Sequence, residues 1–162
     1  VKRLWMGVLI AIMIVSLIGC SSQINSDIIG DLNVEYSTKW FRFTVTDFQE
    51  TYEYGDRKIG DGYKFVVTKV SITSTFADPI PMSVGDFKIK GTGIISSDEL
   101  PLSPFEGVDA MMPDSFRLAK GQSVTYDIVF EIPEDIKDIG FVYLEISENK
   151  KFGRTFTIKH ML

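Results

Sequence analysis

The sequence predicts an all-β protein built as a β-sandwich, and three observations predict it. Apolar and polar residues alternate with period two through most of residues 36–162, which puts successive side chains on opposite faces of a sheet and buries one face. Clusters rich in Gly, Asp, Asn and Pro interrupt the alternation at short intervals, as turns between short strands do. No stretch longer than a turn or two has helical spacing, which argues against an α/β enzyme core. The roughly 125 residues from Tyr36 onward are a common size for one domain with one core.

The strands are expected in the following order. Trp40 to Phe48 turns Phe41, Phe43 and Val45 inward. Tyr63 to Phe76 places Val66, Val70, Ile72 and Phe76 on one face and Lys69, Ser71, Thr73 and Thr75 on the other. Its first half, Tyr63-Lys64-Phe65-Val66-Val67, is largely apolar on both faces. Asp86 to Lys90 buries Phe87 and Ile89, and shorter candidates lie at Gly93 to Ser96 and Ser115 to Leu118. The clearest alternation sets Val124, Tyr126, Ile128, Phe130 and Ile132 against Ser123, Thr125, Asp127 and Glu131, a long half-buried strand. Pro133 to Asp138 is the best candidate for a short helical turn. Phe141 to Ser147 is expected to bury Val142, Leu144 and Ile146, and Arg154 to Lys159 to bury Phe156 and Ile158. Between them fall the turn signals Tyr54-Gly55-Asp56, Gly60-Asp61-Gly62, Ala77-Asp78-Pro79, Lys120-Gly121 and Asn149-Lys150-Lys151.

The first residues are of another kind. Lys2 and Arg3 precede an apolar run from Leu4 to Ile18, which as a helix would span about 22 Å, short of the roughly 30 Å hydrocarbon core of a bilayer. Positive charge, a short apolar stretch and then small residues is the order of a cleavable secretion signal, here residues 1–19, with Lys2 and Arg3 on the cytoplasmic side. The run ends in Leu17-Ile18-Gly19-Cys20, which resembles the bacterial lipobox. That resemblance implies cleavage before Cys20, a diacylglycerol on its sulfur and often an acyl group on its new amino group. Each buried CH₂ contributes about 0.8 kcal/mol, so two or more chains hold a protein stably where one is marginal. Cys20 is the only cysteine, which excludes an internal disulfide framework and any thiolate metal cluster. Residues 20–35 read as a lipidated tether, largely polar, with Ile28, Ile29 and Val34 able to dock, and residues 36–162 as the domain.

Without Lys2 and Arg3 the chain carries 15 basic against 22 acidic side chains, a formal net charge of −7. This is not the footprint of a nucleic-acid binder. Acidity also disfavours adhesion to anionic head groups, so the lipid on Cys20 is the expected membrane contact and the domain is expected to stand off the surface.

Trp40 to Phe43, the long Val/Thr-rich segment from Tyr63 to Thr75, and Leu118 to Pro133, with a late Gly121 turn feeding Phe130-Glu131-Ile132-Pro133, occur in an order that resembles a family of bacterial lipoprotein domains, DUF4352. The resemblance covers most of residues 38–148. It departs from the family at Ser74-Thr75, where Asn often follows the long strand, and at Lys90-Gly91, where an Asp-x-x-Gly turn is usual. What it implies is an immunoglobulin-like antiparallel β-sandwich, here of about seven to nine strands, in an exported, non-enzymatic module.

Catalytic chemistry finds little support in the residues. Nucleophilic catalysis of the Ser/His type needs a positioned base, and the one histidine, His160, lies at the C-terminal end, where it reads as exposed and frayed. Zinc sites need several His or Cys ligands. No EF-hand loop is present, and Asp56 and Asp61, beside Gly-rich turns, are weak calcium candidates whose bland reading is a solvated turn, as it is for Glu134, Asp135 and Asp138. No cofactor is expected. Leu100 to Pro113 is unusual because Leu102, Phe105, Val108, Met111 and Met112 occur there without strand alternation. Two readings compete: these side chains cap an end or edge of the sandwich, or they form an exposed patch for an envelope protein partner, with methionine as an adaptable surface. Trp40 reads as a core or sheet-edge residue. The expected function is a membrane-anchored extracytoplasmic lipoprotein presenting a non-catalytic immunoglobulin-like domain for protein contact. The alternative is a binding module for a small ligand, sugar or calcium.

Overall fold

The computed structural model of the chain describes residues 26–92, 99–146 and 153–160. Lys2, Arg3, Leu17, Ile18, Gly19 and Cys20, the strand expected at Gly93 to Ser96 and the Asn149-Lys150-Lys151 turn lie outside the described residues. In chain order the strands are β1 (Ser26–Gly30), β2 (Glu35–Ser37), β3 (Phe41–Thr51), β4 (Glu53–Tyr54), β5 (Arg57–Lys58), β6 (Tyr63–Ser74), β7 (Ile80–Ser83), β8 (Phe87–Thr92), β9 (Ser115–Leu118), β10 (Ser123–Pro133), β11 (Lys137–Ile146) and β12 (Gly153–Lys159). A single 3-10 turn, Val84–Asp86, separates β7 from β8. Ser83 caps it, its hydroxyl accepting from the Gly85 N–H while Asp86 accepts from the Ser83 N–H.

Two four-stranded sheets, β10-β6-β3-β2 and β1-β12-β11-β8, form the sandwich, and β4-β5 and β7-β9 are small ribbons beside it. The neighbours β3-β6-β10 and β8-β11-β12 take the places of strands A-B-E and C-F-G of an immunoglobulin domain. Among the described residues the named strands pair antiparallel except β1 with β12. The two longest strands of the first sheet pair without a slip from Ser123 opposite Thr73 to Pro133 opposite Tyr63, so Ile128, Phe130 and Ile132 are buried as the alternation predicts. In β3 the register shifts between Val45 and Asp47, and this bulge moves the inward series from Phe41, Phe43 and Val45 to Phe48. The Asp47 carboxylate accepts from the Phe48 N–H, 2.8 Å, and fixes the bulge.

Between the sheets the core is aromatic. Phe41 meets Tyr143 at 5.1 Å between ring centroids and Phe43 meets Phe156 at 5.5 Å, both edge-on, while Phe87 stacks on Phe141 at 5.4 Å. Edge-on and offset pairs are the arrangements the ring quadrupole favours.

Three expectations are corrected. Strand β11 faces the opposite way: Phe141 and Tyr143 enter the core, while Leu144 and Ile146 are 47% and 53% exposed on the outer face. This strand is apolar on both faces, so alternation does not choose between them, and the larger rings take the core, where Tyr143 lies opposite Phe156 in the ladder. The tether is shorter than residues 20–35, because β1 pairs in register with β12 from Ser26 opposite Arg154 to Gly30 opposite Ile158, and β2 pairs with β3. Ile28 packs on the core, and Tyr36 joins it through Phe43 and Phe156 while its hydroxyl accepts from the Asp31 N–H, 2.8 Å. Residues 133–138 form no helix: Pro133 ends β10, Glu134 and Asp135 make the turn, and β11 begins at Lys137.

Candidate functional site

The segment from Leu100 to Pro113 lies along the free edge of β10. Leu102 N–H donates to the Val129 carbonyl (2.8 Å), Asp127 N–H to the Ala110 carbonyl (2.8 Å) and Met112 N–H to the Asp127 carbonyl (2.9 Å), so the segment satisfies backbone groups that an edge strand would leave open. Leu100 is exposed, but Leu102, Phe105, Val108, Met111 and Met112 turn inward. Met112 belongs to the main core, whereas Phe105 and Met111 join Phe65, Val67 and Val129 in a second, smaller core on the outer face of the β10-β6-β3-β2 sheet. Leu102 and Val108 are half-buried against that cluster, and Tyr54 and Ile59 close it from the β4-β5 ribbon. This explains why the first half of β6 is apolar on both faces: Val66 faces one core and Phe65 and Val67 the other. The reading of Phe105, Met111 and Met112 as an exposed partner patch is therefore corrected, because their area is already buried against β6 and β10.

Polar groups around this second core hold it in place. The Tyr54 hydroxyl donates to Asp127, 2.7 Å, and burial followed by that hydrogen bond raises its pKa well above the ordinary tyrosine range. The Arg57 guanidinium covers the Phe105 ring at 4.0 Å. Asp56 and Asp61 are exposed in turns, and among the described residues no group of three or more His, Cys, Asp or Glu side chains converges.

Two buried charges pin the ends of the sandwich. Glu145, 6% exposed, accepts from the Lys39 N–H and from Arg154, and so joins the approach to β3 with β11 and β12. Lys64, also 6% exposed, donates to Glu50 (2.8 Å) and to the Ile136 carbonyl (2.9 Å) at the opposite end. His160 is not frayed: it stacks on Phe48 at 4.6 Å and its N–H donates to the Ile139 carbonyl. Trp40 packs against the main core beneath the Lys39 ammonium, in line with its sheet-edge reading.

The outer faces of the two sheets differ. On β10-β6-β3-β2 the outward side chains beyond the second core are polar and pair across strands, Ser71 with Thr125 and Thr73 with Ser123 at 2.8 Å, and Lys69 with Asp127. On β1-β12-β11-β8 the face carries Ile29, Val142, Leu144 and Ile146, and a groove of about 920 Å³ runs over it past Gly140, Lys90, Lys159 and His160. Sequence reasoning missed this face. The signal was present in β11, where apolar residues at both parities cannot all be buried in one core.

No protein-family model matches the chain, and no curated protein matches it. Solved structures resemble it in fold. One is ycdA of Bacillus subtilis, described as a "putative lipoprotein", with TM-score 0.58 and 18% identity over 77% of this chain. The matched part spans 38% of ycdA. The yjhA protein of the same organism matches 80% of this chain and 98% of its own length with TM-score 0.58 and 15% identity. An uncharacterized β-sandwich protein of Clostridium difficile matches 87% and 99%, with TM-score 0.55 and 7% identity. At such identities the likeness establishes the β-sandwich alone.

Proposed function

We propose that the chain is an extracytoplasmic lipoprotein of the DUF4352 type, anchored in the cell membrane through lipid on Cys20 and presenting a non-catalytic immunoglobulin-like sandwich for protein contact at the envelope. The observation that carries this reading is the start of the fold: strand β1 begins at Ser26, six residues beyond the lipobox cysteine, so the chain passes from anchor to sheet with only a short link. The description of ycdA as a "putative lipoprotein" supports the same location. Partner contact in this reading falls on surfaces other than Phe105, Met111 and Met112, which the fold uses internally. Cells grown with labelled palmitate test the anchor. The native protein should take up label and Cys20→Ser should take up none; label retained by the variant contradicts the reading.

A further inference from the structure

The geometry points to the outer face of the β1-β12-β11-β8 sheet as a surface that rests on an anionic lipid bilayer, so that the sandwich lies against the membrane rather than standing off it. This rests on the lipoprotein reading above and adds an orientation to it.

Three observations converge on this face. Ile29, Leu144 and Ile146 are 66%, 47% and 53% exposed, and all three project from the outer side of this one sheet, Ile29 on β1 and Leu144 and Ile146 on β11, with β12 between them. Strand β1 is the edge of this sheet, and six residues from Cys20 to Ser26 reach at most about 20 Å when fully extended, which holds this sheet close to the lipid surface. Lys90 and Lys159 flank Gly140 on the neighbouring strands β8 and β12, and neither forms an ion pair among the described residues. Their Cα atoms stand about 10 Å apart across the bare glycine, two strand spacings.

The net charge of −7 argued for repulsion from the membrane, but charge acts where it is placed. Along the groove Lys90 and Lys159 balance Asp27 and Asp138, and Lys88 lies on the same side of β8 opposite Val142, so the acidic excess does not fall on this face. An interfacial surface combines such features: aliphatic side chains enter the head-group boundary and lysines meet lipid phosphates. The other sheet offers paired hydroxyls and ion pairs on its outer face, which gain nothing from lipid.

The test uses the full lipidated protein in phosphatidylglycerol vesicles containing chain-brominated lipid, with Trp40→Phe to remove the native fluorophore. Leu144→Trp reports from the proposed contact face and Ser71→Trp from the opposite sheet. Brominated lipid should quench Leu144→Trp at least about threefold more than Ser71→Trp, and adding Lys90→Glu and Lys159→Glu should halve the difference or more. Equal quenching of the two reporters overturns the docking, as does a Leu144→Trp reporter shielded from brominated lipid at high protein density and no more quenched than Ser71→Trp on dilution. Anchor and orientation fail separately: acylated protein with an unquenched Leu144→Trp refutes only the orientation, whereas protein lacking acyl mass on Cys20 refutes the lipoprotein reading and the docking with it.

Discussion

Replacing Phe105 with Ala separates the two readings of the Leu100 to Pro113 segment. If the ring were an exposed contact for a partner, its loss would leave stability within about 0.5 kcal/mol of the native value, as for surface substitutions generally. In the structure the ring is buried between Tyr54 and Phe65, each 6.2 Å away between centroids, with Arg57 on its open side. Phe→Ala in a core costs about 3–5 kcal/mol, the sum of lost transfer energy and the cavity left behind. This second core is thin and four of its nine members are only partly buried, so it can collapse around the gap, and the cost belongs near about 3 kcal/mol. For a domain of this size that lowers the melting temperature by roughly 10 °C. Urea unfolding followed by circular dichroism checks it: the midpoint should fall with little change in slope. A loss below about 0.5 kcal/mol would refute the burial argument and return the segment to the surface. The same geometry means that Met112→Asp would place a carboxylate in the main core, so failure to bind a partner in that variant would report unfolding rather than a lost contact.

Glu145→Leu should cost about 2 kcal/mol in the same assay, less than for a fully buried pair because the Arg154 side chain reaches water and keeps its charge hydrated. Lys64→Met should cost a similar amount by stranding the Glu50 carboxylate and the Ile136 carbonyl, and adding Glu50→Leu should recover part of it; a double variant as unstable as the sum of its parts would contradict the pairing. Burial, and then the charges of Glu145 and Asp86, raise the pKa of Tyr143 above its ordinary value of 10.0. The unfolded chain therefore ionises first, and stability falls as pH rises from that value toward the raised one. Urea midpoints measured between about pH 8 and about pH 11 should decline less steeply in Tyr143→Phe; an unchanged slope would remove Tyr143 from the account.

How much of this was legible in the sequence follows from what each signal fixes. Alternation located β3, β6, β8, β10 and β12 and their inward residues, because a strand polar on one side has a single way to face a core. It failed for β11, where apolar residues at both parities left the face to be decided by the fit of Tyr143 against Phe41 and Phe43. It also missed β1 and β2. Short strands of five and three residues are stabilised by the edges they pair with, β12 and β3, and those edges are distant in sequence. The mixed face of β6 and the irregular run from Leu102 to Met112 were both visible, but only the fold shows that each covers the other. The exposed aliphatic side chains on the outer face of the β1-β12-β11-β8 sheet were hidden by a net charge that averages over the whole surface.

The intact mass of the native protein extracted from membranes tests whether lipid on Cys20 holds the sandwich. The expected mass is that of a chain that starts at Cys20, lacks residues 1–19 and carries an added diacylglycerol. A chain retaining residues 1–19, or one whose Cys20 thiol is free to be alkylated, would contradict it.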